Sequence, residues 1–251
     1  MKIFTSITEW QSCRDTLDGR QLGFVPTMGA LHEGHLSLVR ASREQNAKTI
    51  VSVFINPTQF DDKNDFEKYP NDPSSDMQRL KNAGVDFVLL PDAEQIYTDE
   101  YRFKVTESEF SRRLCGAHRP GHFDGVLTVV MRLLNLVRPE HAYFGEKDYQ
   151  QLQLIRDMVS AFFMPVKIVS CATVREADGL AMSSRNRQMD AGNRERAAKL
   201  YAALKQSSTA AEARKALAGQ GFEVDYVEDI ANRRLAAARL GSTRLIDNVE
   251  I

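Results

Sequence analysis

Cysteine is scarce in this chain, and what there is stands far apart. Cys13, Cys115 and Cys171 form no Cys-x-x-Cys pair, which excludes a dithiol redox centre and a zinc knuckle. Separated thiols, odd in number, fit a reducing cytoplasm, where the protein is expected to stay. Long apolar runs are missing as well: no stretch approaches the roughly 18 residues that a membrane-spanning helix needs. The opening MKIFTSITEW has neither the basic flank nor the apolar core of a signal peptide. Neither sign of charge dominates. Lys plus Arg number 33 against 34 Asp plus Glu, a net charge of -1, so the chain as a whole does not attract nucleic acid or an anionic membrane, and any anion must be bound locally. The helical His-Glu-x-x-His spacing of a zinc protease is absent too.

What is present is enough for one large α/β domain and a smaller appendage: 251 residues, 43% hydrophobic and 27% charged. QLGFVPTMG predicts a strand entering a glycine turn, and HLSLVRASREQ then sets Leu36, Leu38 and Val39 at about helical spacing. TIVSVFINP is β-branched and almost continuously apolar up to Pro57, which suits a central strand covered on both faces and therefore a parallel sheet. Ser74 to Asn82 predicts a helix behind Asp72 or Ser74 as its cap, and GVDFVLLP a further buried strand. VLTVVMRLLNLV has helical spacing, HAYFG reads as a strand opening into the polar loop GEKDYQ, QLQLIRDMVSAFF as a helix and VKIVSCATV as a strand. From Arg194 through Ala218 the residues Ala, Glu, Lys and Arg take over, and TRLIDNVEI is again strand-like. This change of character puts a domain boundary near Cys171 to Arg175, with a helical and mixed part after it. No repeat of fixed period is visible.

Three segments could handle phosphate. In PTMGALHEGH a strand ends, Gly29 turns the chain, and His32, Gly34 and His35 lie where a helix opens. Helix openings present unpaired backbone N–H groups and positive dipole, and imidazoles three residues apart share a face there. Gly34 leaves room for a purine. A plain helix cap with incidental histidines is the competing reading. In FGEKDYQQ, Gly145 to Asp148 form a charged loop at the carboxyl edge of a strand, where open α/β sheets bind ligands. Lys147 is the best cation there for a phosphate, Asp148 could position a metal or a ribose hydroxyl, and Gln151 could offer its amide to a substrate. A solvated loop would look the same. In GLAMSSRN, Ser183 and Ser184 put neutral donors beside the planar cation of Arg185, although a Ser-Ser-Arg turn that merely caps a helix is at least as common. Gln59 by itself reads as a surface glutamine at a strand end. Arg119 and His122 sit in the turn-rich GAHRPGHFDG, where an arginine needs no special explanation.

Order along the chain ties these together. A His-x-Gly-His turn early and a Met-Ser-Ser-Arg loop late, framing an alternating α/β sheet, resemble the nucleotidyltransferase superfamily, whose members attack the α-phosphate of ATP. VPTMGALHEGHLSLVR, FINPTQF, GAHRPGHFDGVLTVV, FGEKDYQQLQLIRDM and TVREADGLAMSSRN look, in sequence and order, like the pantothenate synthetase family, from about Gly23 to Asn186. The resemblance implies a Rossmann-like parallel sheet of the HxGH nucleotidyltransferase type over residues 1–173, binding nucleotide and pantoate, and a small α+β lid domain over 174–251. It implies condensation of pantoate with β-alanine through a pantoyl adenylate, releasing pyrophosphate and AMP. ATP is then a substrate, Mg2+ is held mostly by the nucleotide, and the protein is a homodimer. The implied ATP site is Met28, Gly29, Ala30, Leu31, His32, Glu33, Gly34 and His35, with Gly145, Glu146, Lys147, Asp148, Val174, Met182, Ser183, Ser184 and Arg185. His32, His35, Lys147 and Arg185 would act on the reacting phosphate, and His35 is the family's usual proton donor. Gln59 and Gln151 would hold pantoate, with Asn56 near them, and Arg119 and His122 a carboxylate of β-alanine or pantoate. The region after Asn193 is expected to be shorter than the family's usual second domain.

Overall fold

The computed structural model describes residues 1–17 and 21–251. They divide into two compact units, Met1–Glu146 with Gln150–Cys171, and Lys147–Tyr149 with Ala172–Ile251.

The first unit is built on six strands: β1 (Lys2–Phe4), β2 (Leu22–Thr27), β3 (Lys48–Val53), β4 (Phe87–Leu89), β5 (His141–Gly145) and β6 (Lys167–Cys171). They lie in the order β1-β4-β3-β2-β5-β6, and every pairing is parallel. Parallel neighbours require crossovers. These contain α1 (Ile7–Arg14), α2 (Glu33–Gln45), α3 (Lys63–Glu67), α4 (Pro73–Asn82), α5 (Ala93–Ile96), α6 (Cys115–His118), α7 (His122–Val137) and α8 (Tyr149–Ala161). Side chains alternate between the faces of a strand, so the complete burial of the successive pairs Phe24, Val25 and Ile50, Val51 means that both faces of the sheet are covered. TIVSVFINP is thus the central strand its composition predicts. The helix expected from Ser74 starts one residue earlier, at Pro73, because Asp72 accepts the Ser75 N–H as its cap and proline needs no partner at the first helical position. GEKDYQ is less of a loop than expected: Glu146–Asp148 is a three-ten turn that runs straight into α8.

The strand order sets the site. From β2 the chain moves outward through β3 and β4, then returns to place β5 on the other side of β2. At such a reversal the loops after the two central strands leave in opposite directions and a crevice opens at the carboxyl edge. Pairing between β2 and β5 covers only Gly23 with His141 and Phe24 with Ala142. Beyond it Pro26 has no N–H to donate, so β2 adds no rung to that ladder near its carboxyl end.

The second unit holds α9 (Ala191–Ala197), α10 (Lys199–Gln206) and α11 (Ala210–Gly219), followed by the antiparallel strands β7 (Glu223–Ile230), β8 (Arg233–Leu240) and β9 (Thr243–Glu250). Leu200, Leu204 and Leu217 from the helices meet Phe222, Leu245 and Val249 in one core. The strand β8, RRLAAARL, has a helix-forming composition, yet Ala236 to Ala238 are at most 1% exposed in the middle of the sheet. Packing overrides propensity there. Arg234, only 1% exposed, is tolerated because Asp229 and the carbonyls of Leu204, Ser207 and Ser208 take up its guanidinium.

Candidate active site

The histidine turn follows β2. Gly29 (φ 80°) and Ala30 (φ 50°) are both left-handed, a conformation natural for glycine and strained for alanine. Asp76, reaching across from α4 and 2% exposed, stabilises the strained pair by accepting the backbone N–H groups of Ala30 (2.8 Å) and Leu31 (2.7 Å). His32 then caps α2. Its Nδ1 accepts the Gly34 N–H at 3.1 Å, while His35 Nδ1 accepts the His32 N–H at 3.3 Å, a reciprocal capping box made of two imidazoles whose ring centres are 4.0 Å apart. A backbone N–H can only donate. Both Nδ1 atoms are therefore acceptors, and each ring in its neutral form carries its proton on Nε2.

This geometry corrects one expectation. The helix opening was expected to offer unpaired backbone amides to phosphate, but those of Gly29, Ala30, Leu31, His32 and Gly34 already donate to Thr27, Asp76, Asp76, His35 and His32 in turn. The physical reason is burial: a turn packed beneath α4 cannot leave its donors unsatisfied. Those five amides are engaged within the protein, so the rings of His32 and His35 become the turn's main candidates for meeting an anion.

A second turn follows β3. Asn56, 1% exposed, precedes the three-ten turn Pro57–Gln59 and organises it. Its Oδ1 accepts from the Tyr97 hydroxyl (2.6 Å), the Thr58 hydroxyl (2.9 Å) and the Thr58 N–H (3.3 Å), and its Nδ2 donates to Gln59 Oε1 (3.0 Å) and the Gly125 carbonyl (3.3 Å). Arg119 and His122 are at this turn too, where they hold the main chain. His122 Nδ1 donates to the Gln59 carbonyl at 2.8 Å, Arg119 reaches the same carbonyl at 3.3 Å, and Arg119 also donates to His122 Nε2 at 3.1 Å. Arg119 completes an ion pair with Asp61 at 2.7 Å. Burial alone would raise the Asp61 carboxyl, but the Arg119 charge and hydrogen bond outweigh it and hold the group below its ordinary value. Gln59, Asn56, Arg119 and His122 are thus one assembly. Gln151 is half-buried on α8, and its neighbour Gln150 is buried and structural, tying Cys115, Phe110 and Arg113 together. At the end of β5 a Cβ added to Gly145 would meet no atom within 4 Å, so nothing in the protein's own packing requires glycine there.

The remaining candidates belong to the second unit. The Lys147 ammonium lies 3.8 Å from the Asp148 carboxylate, and the Lys147 carbonyl accepts the Asn248 amide at 3.2 Å. Val174 and Met182 meet through a backbone hydrogen bond of 3.0 Å beside the bridge between Arg175 and Ala181. Arg175 braces this hairpin with two bonds to Asp247 (2.6 and 2.9 Å), a third to the Gly179 carbonyl (3.1 Å) and its guanidinium 3.8 Å from the Tyr201 ring centre. Ser183 caps the following three-ten turn by accepting the Arg185 N–H at 3.3 Å, so its hydroxyl does the local work that the blander reading gave it. Ser184 and Asn186 are buried. Among the described residues no group of three or more His, Cys, Asp or Glu could hold a metal ion. Sequence reasoning missed Asp76, Thr58, Tyr97, Gly125, Arg175 and Asp247. Asp76 alone left a sequence signal, as a charge one turn before Leu80 on the buried side of α4.

A doubly wound parallel sheet with polar turns at the carboxyl ends of its central strands defines a ligand-binding α/β enzyme. Comparison with known proteins specifies which. The pantoate-beta-alanine ligase family matches residues 2–250. A pantothenate synthetase of Bdellovibrio bacteriovorus is 52% identical over 100% of this chain and 99% of its own length, and one of Legionella pneumophila 48% identical over 99% of each. A solved pantoate-beta-alanine ligase of Francisella tularensis, complexed with beta-gamma ATP and β-alanine, superposes with a TM-score of 0.95 at 40% identity, over 100% of this chain and 97% of the other. The pantothenate synthetase structure from Thermus thermophilus gives 0.92 at 41%, over 100% and 99%. The chain belongs to the pantoate-β-alanine ligase family. Against these relatives its C-terminal region is not shortened, contrary to expectation, since 97% or more of each of their chains is matched.

Proposed function

We propose that this chain condenses pantoate with β-alanine at the expense of ATP, by way of a pantoyl adenylate, and that the residues gathered in the two turns of its first unit carry the first step. The observation behind this is the imidazole pair, His32 and His35, whose Nδ1 atoms are tied to the main chain so that Nε2 of each carries the proton. A free carboxylate is too poor an electrophile for an amine. Adenylation gives it a leaving group: negative charge grows on the α-phosphate as the pantoate carboxylate attacks, the bond from the α-phosphorus to the bridging oxygen breaks, and pyrophosphate leaves. Ring N–H donors held in place beforehand stabilise that charge without reorganising. Lys147 and Arg185 supply positive charge to phosphate oxygens, with Met28 to Leu31, Glu33, Gly34, Gly145, Glu146, Asp148, Val174, Met182, Ser183 and Ser184 as further nucleotide contacts. Gln59 and Gln151 hold pantoate without adding a charge that would compete for those oxygens. Magnesium enters as part of the substrate, MgATP, with its ligands on the phosphates. In the second step the neutral amine of β-alanine attacks the mixed anhydride and AMP leaves. The family resemblance adds a homodimer, and the separated thiols a cytoplasmic setting.

Exchange of labelled pyrophosphate into ATP should depend on pantoate, and AMP should accumulate only when β-alanine is added. His35→Ala should remove about 3 to 4 kcal/mol of transition-state stabilisation, several hundredfold in rate, while circular dichroism stays unchanged. Full exchange activity in that variant would refute the assignment.

A further inference from the structure

The orientation of two amides can be read from groups that have only one role. The Thr58 backbone N–H can only donate, so the Asn56 atom facing it at 3.3 Å is the oxygen; the Gly125 carbonyl can only accept, so the Asn56 atom facing it at 3.3 Å is the nitrogen. Asn56 Nδ2 donates in turn to Gln59 at 3.0 Å, so the Gln59 atom it meets is Oε1. Gln59 then has its acceptor engaged inside the protein and its Nε2 group, with two N–H donors, on the other branch of the amide. Tyr97 closes the lock: its hydroxyl, 2.6 Å from Asn56 Oδ1 and 3.1 Å from the Thr58 hydroxyl, faces an atom that must be an acceptor. Burial pushes this phenol up to about 12, so it stays protonated and donates. The ring is held by the Arg132 guanidinium 4.9 Å from its centre, and Arg132 is fixed by Asp99 at 2.7 and 3.0 Å. Helix α7 seals the arrangement from the other side: a Cβ on Gly125 would lie 2.3 Å from the Thr58 carbonyl oxygen and 2.8 Å from Gln59 Cα.

We propose that Tyr97 is a positioning and specificity-determining residue, which through Asn56 locks Gln59 so that it presents donors, never an acceptor, to the acid substrate. This rests on the reading of Gln59 as a pantoate contact. The locked amide selects a ligand oxygen with lone pairs to share, a carboxylate oxygen or a hydroxyl acting as acceptor.

Steady-state kinetics on Tyr97→Phe, Gln59→Met, Gln59→Glu and the Tyr97→Phe/Gln59→Met double variant test it. Loss of the one hydrogen bond in Tyr97→Phe should raise the pantoate KM about three- to tenfold, with kcat and the KM for ATP within about twofold. The same change should add nothing in the Gln59→Met background, because Tyr97 acts through Gln59. Gln59→Glu keeps the contact with Asn56 but replaces donors by an acceptor, so it should raise the pantoate KM more than Gln59→Met does. If thermal melting shows Tyr97→Phe to be poorly folded, Thr58→Val removes another donor to Asn56 and should give a smaller rise of the same kind. An unchanged pantoate KM in well-folded Tyr97→Phe, independent fold-changes in the double variant, or a milder effect of Gln59→Glu than of Gln59→Met would each overturn the proposal. Were both Gln59 variants to leave the pantoate KM unchanged, the parent reading would fail first, a result distinct from the others.

Discussion

Each unit uses one buried aspartate to hold a loop that carries candidate nucleotide contacts, but the two grips differ. In the first unit Asp76 takes two backbone N–H groups of the histidine turn directly, at 2.8 and 2.7 Å. In the second, Asp247, 3% exposed, never touches the loop's amides; it holds Arg175, which in turn holds the hairpin through the Gly179 carbonyl. A direct grip fixes backbone conformation, which the left-handed Gly29 and Ala30 require. A grip through a guanidinium fixes position while leaving the loop its own backbone hydrogen bonds. The histidine turn should therefore be sensitive in activity, and the hairpin in stability.

The strongest test of that contrast is Asp247→Ala. It leaves the Arg175 guanidinium uncompensated in a mostly buried setting, so denaturant unfolding should show a loss of about 3 kcal/mol or more. Asp76→Asn comes next: an amide can accept only one of the two N–H groups and turns a donor toward the other, for about 2 kcal/mol of stability. The contrast is in activity, and pyrophosphate exchange per folded molecule should fall much further in Asp76→Asn than in Asp247→Ala. Equal losses would erase the distinction. Tyr201→Leu, which removes only the ring under Arg175, should cost about 1 kcal/mol and leave exchange per folded molecule intact. The first unit also has a half-buried ion pair, Asp99 with Arg132, whose contribution depends on pH. The Arg132 hydrogen bonds hold Asp99 well below the ordinary carboxylate value of 3.8, so the stability it supplies is present above that value and is lost as pH falls through the folded-state value. Asp99→Asn should flatten the acid limb of a melting-temperature profile. The smallest effect concerns thiols: burial pushes Cys171 up to about 11, so iodoacetamide at pH 8 should label Cys13 well ahead of it.

The parts of this architecture that were legible in the sequence are those where one local pattern determines the outcome. TIVSVFINP could be read as a central strand because burial on both faces demands an unbroken apolar run, and PTMGALHEGH as strand, turn and helix because glycine and the first polar residues of a helix have local reasons to be there. The strand β8 was not legible: RRLAAARL has no alternation, and its alanines become strand residues only because β7 and β9 flank them and α10 lies nearby. In the site, the histidines stood out by themselves and Gln59 only through the family resemblance, whereas what holds them did not. Asp76 lies 46 positions from Ala30, and Tyr97 41 positions from Asn56, so the hydrogen bonds that set their roles exist only after the sheet has formed. Arg119 and His122 were named through the resemblance, for a substrate carboxylate, and the structure gives them main-chain partners at Gln59 that no spacing in the sequence announces.

The carboxylate of Asp76 has one more consequence. By occupying the amides of Ala30 and Leu31, it serves as a resident anion, so the loop has acquired its shape before any nucleotide arrives and the entropy of ordering it is not subtracted from affinity. Sulfate or free phosphate, which would lodge at a bare helix opening, finds no trap in those two amides. On the proposed reading of this turn as a nucleotide contact, discrimination against a stray inorganic ion falls to groups other than those two amides.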